Sequence, residues 1–229
     1  MTATTPRRAL LRALALLPVG LAVRPDWTAR AAEAGLVAAN VCLLSPETTE
    51  GPFYLDPRLV RRDITEGRPG VPLGLTLQVV DGDCRPLAGA RVDVWHCDAA
   101  GDYSGVRQPG GANTVGETFL RGTQATDGAG VAAFATIWPG WYRGRTPHVH
   151  FKVFLDDRTV LTSQLFFPEV AGAPIYRAAP YAGRGAPDTT NARDGIARRA
   201  GGAAVAQVTG DVSGMAAALV VGIDPDAVG

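Results

Sequence analysis

The stretch HVHFKVFL-DDR-TVLTSQLFF, residues 148–167, decides the fold that this sequence predicts. It consists of two short runs rich in β-branched and aromatic residues, joined by the polar residues 156–158. In the first run apolar residues alternate with polar ones, as they do on a strand that buries one face. The stretch therefore predicts a β-hairpin.

Further strands are predicted on both sides of this hairpin. Four runs either alternate in the same way or follow a glycine-rich turn: LGLTLQVV (73–80), GARVDVWHC (89–97), VAAFATIW (131–138) and GMAAALVVGID (214–224). A short helix is expected only within residues 191–199. We therefore predict one all-β domain, an antiparallel β-sandwich with irregular loops and at most one short helix.

Composition and charge narrow the classes of partner. The chain has 229 residues, of which 46% are hydrophobic, so it can bury a core. Lys and Arg total 22, as do Asp and Glu, so no strong positive field exists to attract nucleic acid or an anionic membrane. The charge balance therefore disfavours both nucleic acid and an anionic membrane as partners.

The N-terminus differs from the rest of the chain. Arg7 and Arg8 precede a short apolar run, residues 13–23, and the sequence ARA at 29–31 offers small residues for cleavage. The pattern resembles a twin-arginine export signal over residues 1–31, with the folded domain at 32–229. We expect export to the periplasm, the cell envelope or the medium, with no integral membrane segment after signal removal. The alternative is a basic amphipathic helix on a cytoplasmic protein.

Three cysteines, Cys42, Cys84 and Cys97, allow one disulfide and one free thiol in an exported protein. Their spacing does not match a zinc motif. We favour pairing of Cys42 with Cys84, because Cys97 ends an apolar strand and can be buried alone. The other pairings stay open.

His148 and His150 are separated by one residue, so on a strand their side chains point the same way. Such a pair can bind one metal ion. The alternative is a half-buried strand on whose polar face two histidines fall, and spacing alone favours this alternative.

Three ordered segments decide between these alternatives: ETTEGPFY (47–54), GARVDVWHCDAAGDYSG (89–105) and PGWYRGRTPHVHF (139–151). Together they resemble the intradiol ring-cleavage dioxygenases, the family of catechol and protocatechuate dioxygenases. The resemblance implies a non-haem Fe(III) held by two tyrosines and two histidines, here Tyr103, Tyr142, His148 and His150. Phenolate oxygens suit this metal, because they are hard donors that favour the ferric state.

The same resemblance implies the reaction. A catecholic substrate chelates the iron, O2 adds to its ring, and the product is a cis,cis-muconate-type diacid. Tyr142 leaves the metal when substrate binds and serves as a base. Arg145, at a fixed offset before the histidines, stabilises negative charge on the ring. Gln164 and Tyr54 are the remaining candidates for contact with substrate.

Two departures from the family pattern affect what can be carried over. The loop RGRTP between Tyr142 and His148 is short, which predicts a more open pocket than in protocatechuate enzymes. The long helical N-terminal segment through which catechol dioxygenases dimerise is missing, so no oligomeric state is expected from the resemblance. Two other functions stay open: a secreted transthyretin-like sandwich module that binds a ligand without metal, and a zinc or copper site on the same histidines.

Overall fold

A computed structural model describes residues 43–56 and 58–226 of the chain. In this part of the chain eight strands form the fold: β1 Pro72–Val80, β2 Arg91–Trp95, β3 Arg121–Ala125, β4 Val131–Ile137, β5 His148–Leu155, β6 Arg158–Phe166, β7 Gln207–Asp211 and β8 Gly214–Gly222. The helices are short: α1 Glu169–Gly172, α2 Gly195–Ala200, and single 3-10 turns at Ile175–Arg177, Tyr181–Gly183 and Gly202–Ala204.

The strands form two four-stranded sheets, in the orders β4-β1-β8-β7 and β3-β2-β5-β6. The predicted all-β sandwich and its hairpin β5–β6 are confirmed, and the expected helix within 191–199 is α2. The single helical turn α1 was not predicted. One strand pair also departs from the antiparallel expectation, because β1 and β8 run parallel. These strands come from distant parts of the chain, so no tight turn forces them to be antiparallel.

The hydrophobic core lies between the sheets. In β5, Val149, Phe151 and Val153 belong to this core and are at most 1% exposed. Successive side chains of a strand point to opposite faces, so His148 and His150 project from the outer face of their sheet. The two histidines, whose side chains can take part in chemistry, thus lie outside the core on the outer face of this sheet.

One row of directly opposed residues crosses that outer face. Arg121 on β3 is opposite Trp95 on β2, Trp95 is opposite His150 on β5, and His150 is opposite Gln164 on β6. All four are buried, with 0–2% of their surface exposed. We call them the cross-strand row. Loops must cover this row, because none of it belongs to the core between the sheets.

Residues 46–49 form part of this cover and run beside β6. The Thr48 amide donates to the Thr162 carbonyl at 2.9 Å, and the Ser163 hydroxyl donates to the Pro46 carbonyl at 2.6 Å. The next side chain of β6, Gln164, donates to the Thr49 carbonyl at 2.8 Å. Consecutive hydrogen bonds thus fix this segment next to the outer face.

The cysteines partly match expectation. Cys84 is disulfide-bonded, and Cys97 is free and buried. Cys42, the expected partner of Cys84, lies outside the described residues. The export signal expected at residues 1–31 also lies outside them. Among the residues that the structure describes, no helix is long and apolar enough to cross a bilayer.

His96 is buried next to the cross-strand row, and both ring nitrogens are hydrogen-bonded. Its Nδ1–H donates to the Cys97 carbonyl at 2.8 Å, which leaves Nε2 to accept from the Thr136 hydroxyl at 2.7 Å. Because both ring nitrogens are occupied, His96 has a structural role and is not available as a metal ligand. Burial, with a smaller effect from the positive charge of Arg121, lowers the pKa of His96 to about 4.

This lowered pKa makes folding sensitive to acid. Between pH 6.5 and pH 4 the unfolded chain binds a proton at His96 and the folded protein does not, so stability falls as pH falls through this window. We expect His96 to contribute about 3 kcal/mol to that loss. Urea unfolding at pH 7 and at pH 4 gives the decrease in the free energy of unfolding between the two pH values. This decrease should be smaller in His96→Gln than in the wild type, by about the same 3 kcal/mol. Equal losses in the two proteins would contradict the assignment.

Candidate metal centre

Four side chains from two loops and one strand meet above the outer face of the second sheet. Tyr103 lies in the loop after β2, Tyr142 in the loop before β5, and His148 and His150 on β5 itself. The His148 Nε2 atom is 3.3 Å from the Tyr103 hydroxyl oxygen, 3.0 Å from that of Tyr142, and 3.1 Å from the His150 Nε2 atom. The four residues predicted as metal ligands are therefore brought together.

Glycines allow the two tyrosine-bearing loops to approach each other. A Cβ atom on Gly140 would overlap the Asp98 carbonyl oxygen, and one on Gly101 would overlap the Trp141 carbonyl oxygen. Gly101 also has a φ of +89°, a conformation that side-chain-bearing residues rarely adopt. This close approach places the rings of Tyr103 and Tyr142 with centroids 5.8 Å apart.

Both histidines are held in the neutral form that binds metals. The His148 Nδ1–H donates to the Thr146 carbonyl at 2.7 Å, so the lone pair of Nε2 points at the tyrosines and at His150. Burial, with a smaller contribution from the charge of Arg145, lowers the pKa of His148 to about 3. Burial, followed by the proximity of His148 and then of Arg145, also lowers the pKa of His150 far below its ordinary value. Burial raises the pKa of Tyr103 well above its ordinary value, so ionising this tyrosine requires a cation.

Hydrogen bonding alone does not satisfy this cluster. The single lone pair on the His148 Nε2 atom has three polar neighbours within 3.3 Å, and the His150 Nδ1 atom is buried without a hydrogen-bond partner. Metal–ligand bonds of about 2.0–2.1 Å place neighbouring ligand atoms roughly 3.0–3.4 Å apart, which matches the distances observed here. Within residues 43–56 and 58–226, no group of three His, Cys, Asp or Glu side chains is placed to hold a metal. Two imidazole nitrogens and two phenolic oxygens are thus the donor set.

Arg145 lies at the edge of this donor set. Its Nη1 atom is 3.4 Å from the Tyr142 hydroxyl oxygen and 3.5 Å from the His148 Nε2 atom. Its Nη2 atom donates to Gln164 Oε1 at 2.5 Å, and the Gln164 amide nitrogen donates to the Thr49 carbonyl. Both ends of the Gln164 amide are therefore occupied. Gln164 joins the site, as the sequence indicated, and it does so by holding the guanidinium of Arg145.

Asp194 holds the other side of this guanidinium, and the sequence analysis did not include it. Its carboxylate accepts from Arg145 Nε at 2.7 Å and from the Thr146 amide at 3.1 Å, and its second oxygen caps helix α2. Burial acts to raise the pKa of Asp194, but hydrogen bonds from Arg145 and its charge lower it overall. An aspartate at the start of a predicted helix is a sequence signal for a cap, although not for a contact with Arg145.

We expect Asp194→Asn to destabilise the protein by about 3 kcal/mol, because a mostly buried Arg145 would lose its counter-charge while the cap is kept. Denaturant unfolding at pH 7 measures the change. Asp188→Asn is the control: Asp188 is exposed and makes no salt bridge with the described residues, so we expect a change within about 0.5 kcal/mol. Equal stability of the Asp194→Asn variant and the wild type would contradict the importance of this pair.

Tyr54 does not reach the site, which corrects the expectation that it binds substrate. Its hydroxyl donates to Asp93 Oδ2 at 3.0 Å, and its ring packs against Trp95 at 4.8 Å. Trp95 in turn stacks on His150, with ring centroids 4.9 Å apart and planes 13° apart. The indole ring of Trp95 therefore lies between Tyr54 and His150. The preceding residue, Phe53, contacts Tyr103 instead, at 4.8 Å between ring centroids.

Fold and site together define a β-sandwich protein with a buried cluster of two histidines and two tyrosines. A family of sequences described as Dioxygenase matches residues 45–188. The chain is 31% identical to catechol 1,2-dioxygenase 1 of Acinetobacter lwoffii over 57% of its own length and 48% of that protein. It is also 31% identical to the protocatechuate 3,4-dioxygenase beta chain of Burkholderia cepacia, over 57% of its own length and 60% of that chain.

A solved structure extends this similarity. The intradiol ring-cleavage dioxygenase from Tetranychus urticae superposes with a TM-score of 0.76 at 31% identity, covering 82% of this chain and 98% of that one. The chain therefore belongs to the intradiol ring-cleavage dioxygenase family. It spans about half the length of the curated catechol dioxygenase that it matches.

Proposed function

We propose that this protein is a non-haem Fe(III) enzyme that cleaves a catechol-type ring between its two hydroxyl-bearing carbons. Both atoms of O2 enter the product, a cis,cis-muconate-type diacid. The observation that carries the proposal is that the Nε2 atom of the neutral His148 has the His150 Nε2 atom and two phenolic oxygens within 3.3 Å. Zinc sites use thiolate, imidazole and carboxylate donors, whereas phenolate oxygen favours ferric iron.

Tyr103, Tyr142, His148 and His150 would hold the iron. Ferric iron would supply a Lewis acid that binds a catechol through both oxygens and draws electron density from its ring, so that the ring reacts with O2. Tyr103 is buried, which suits a permanent ligand, whereas Tyr142 is only half-buried and its hydroxyl oxygen lies next to Arg145. Tyr142 Oη is thus the atom that can take up a proton from an arriving catechol hydroxyl.

Arg145 would stabilise the negative charge that develops on the substrate ring. The guanidinium is held on one side by Asp194 and on the other by Gln164, so it does not have to reorganise during the reaction. Its Nη1 atom has only long contacts, of 3.4 and 3.5 Å, and therefore keeps hydrogen-bonding capacity for substrate. Gln164 acts as a positioning residue for Arg145.

We further propose that the enzyme works outside the cytoplasm. The paired Arg7 and Arg8, the short apolar run at 13–23 and the ARA sequence at 29–31 support a twin-arginine signal in residues 1–31, with the catalytic domain at 32–229. This export route carries folded proteins and suits one that acquires its metal before leaving the cytoplasm. The expected substrates are accordingly external catechols, and nothing in the charge balance suggests nucleic acid as a partner.

A visible absorption spectrum tests the proposal. The purified protein should show a tyrosinate-to-iron charge-transfer band, which should shift to longer wavelength when a catechol is added without oxygen. Admission of O2 should then yield a muconate-type product by mass spectrometry. A protein that stays colourless after ferric reconstitution would exclude the dioxygenase function and favour a metal-free binding module on the same fold.

A further inference from the structure

Arg121 is a buried arginine next to the metal centre, and it has no carboxylate partner. It is 2% exposed and stands at one end of the cross-strand row. In this row only Trp95 lies between Arg121 and His150. Four other arginines of the described chain that are partly shielded from water each form a salt bridge: Arg61 with Glu66, Arg68 with Glu117, Arg91 with Asp93, and Arg145 with Asp194. Among the described residues, no Asp or Glu oxygen lies within 4.0 Å of Arg121.

The hydrogen bonds of Arg121 lead to the residue after Tyr103. Its Nε atom donates to the Ser104 hydroxyl at 2.9 Å, and its Nη2 atom donates to the Ser104 carbonyl at 2.6 Å. The Ser104 hydroxyl in turn donates to the Phe119 carbonyl at 2.6 Å. Two hydrogen bonds from the Arg121 guanidinium thus connect the loop that carries Tyr103 to strand β3.

One part of Arg121 has no partner. Its Nη1 atom is buried without a hydrogen bond, as are the Trp95 Nε1 and His150 Nδ1 atoms, which belong to the same row. The only other such side-chain atom in the described chain is Thr48 Oγ1. Buried polar groups are normally hydrogen-bonded. Three unpaired polar atoms in one row therefore indicate that these side chains are placed for function rather than for stability.

The charge on Arg121 persists despite its burial. An arginine guanidinium stays protonated in proteins, so Arg121 carries a positive charge at neutral pH. An unpaired buried cation costs folding free energy, unless a negative group is present in the working protein. Tyr103 is the neighbour that becomes negative when it serves as a metal ligand.

We propose that Arg121 is a positioning residue for Tyr103 and the fixed counter-charge to its ligand oxygen. It holds the Tyr103–Ser104 backbone in place and favours the negative ligand over a neutral tyrosine. The inference rests on the proposed ferric site and adds a residue that does not touch the metal. A purely structural anchor would need the two hydrogen bonds to Ser104 but not the positive charge, so the two roles can be separated.

Two substitutions at this position separate them. Arg121→Lys keeps the charge and loses the two-pronged contact with Ser104, whereas Arg121→Met keeps a comparable chain length and loses the charge. Arg61→Met is the matched control, because Arg61 also anchors this segment, through the Arg121 carbonyl, but is paired with Glu66. Circular dichroism verifies folding of each variant. Ferric affinity is measured by competition with a chelator, and the charge-transfer band is recorded for each iron-loaded protein.

We expect Arg121→Met to weaken ferric binding by about 10-fold or more, the range seen when residues supporting a metal ligand are changed. Its charge-transfer band should move to longer wavelength, because the ligand electrons are held less tightly without the cation. Arg121→Lys and Arg61→Met should keep the band of the wild type. If the folded Arg121→Lys and Arg121→Met variants had the same ferric affinity and the same charge-transfer band, the proposed role of the charge would be wrong, whether both matched the wild type or both were equally impaired. A colourless wild type would instead refute the ferric site itself.

Discussion

Replacing Tyr103 with phenylalanine should remove most of the ferric iron from the purified protein and lower catechol turnover by more than about 100-fold. Changes to residues that merely support a metal ligand cost roughly 10–100-fold in affinity or activity, so loss of a ligand atom should cost more. The phenolic oxygen of Tyr103 is buried, and no other described residue is placed to substitute for it. Iron content, the visible spectrum and oxygen consumption with catechol measure the effect.

Two further tyrosine variants make this result specific. Tyr142→Phe should retain part of the iron, because the half-buried Tyr142 is the ligand expected to leave when substrate binds, but its turnover should also fall. Tyr181→Phe removes an equally buried hydroxyl that donates to the Trp138 carbonyl at 2.6 Å, away from the metal centre. It should lose stability and keep its iron. A Tyr103→Phe protein with full iron content and an unchanged spectrum would refute the ligand assignment.

Arg145→Gln should lower kcat by roughly 100- to 1,000-fold while the protein keeps its iron, the effect typical of losing a group that stabilises charge in a transition state. The reason is geometric: Arg145 faces the metal-binding atoms from 3.4 and 3.5 Å without being one of the four donors. Steady-state oxygen consumption and the charge-transfer band measure the two quantities separately. Loss of iron together with activity would assign Arg145 a structural role instead.

Controls are needed because Arg145 also pairs with the buried Asp194. Arg145→Lys keeps a positive charge for Asp194 but cannot contact Asp194 and Gln164 with one planar group, so it should remain folded and still be slow. Arg143→Gln changes an exposed arginine of the same loop and should leave kcat unchanged. If Arg145→Lys retained the kcat of the wild type, charge alone, rather than the fixed geometry of the guanidinium, would suffice.

The sequence predicted the parts of the site that lie close together along the chain. His148 and His150 share one face of a strand, and Arg145 and Tyr142 precede them by a few residues, so alternation and motif order were sufficient to locate them. Tyr103 lies 45 positions before His148 and was located only because the segment that carries it resembles the family pattern. Asp194, 49 positions from Arg145, belongs to none of the resembling segments, and only the fold brings it to Arg145. Alternation in β5 and β6 likewise predicted the hairpin.

Tyr54 shows why a motif does not give side-chain directions outside regular strands. Phe53 and Tyr54 are neighbours, but the first packs on Tyr103 and the second on Trp95. Asp93 attracts the hydroxyl of Tyr54, and this buried carboxylate, already bound by Arg91 and Thr123, is placed there by the pairing of β2 with its neighbours. The parallel pairing of β1 with β8 was beyond sequence patterns for the same reason, since it depends on contacts between distant segments.

The proposed metal centre lies on the outer face of one sheet, whereas the hydrophobic core lies between the two sheets. Loops that cover the centre can therefore change in length and composition without opening a cavity in the core. This separation makes the scaffold tolerant of sequence change, because the covering loops can be reshaped while the strands, and the histidines they carry, stay in place. The loop RGRTP, residues 143–147, is one of these covering segments.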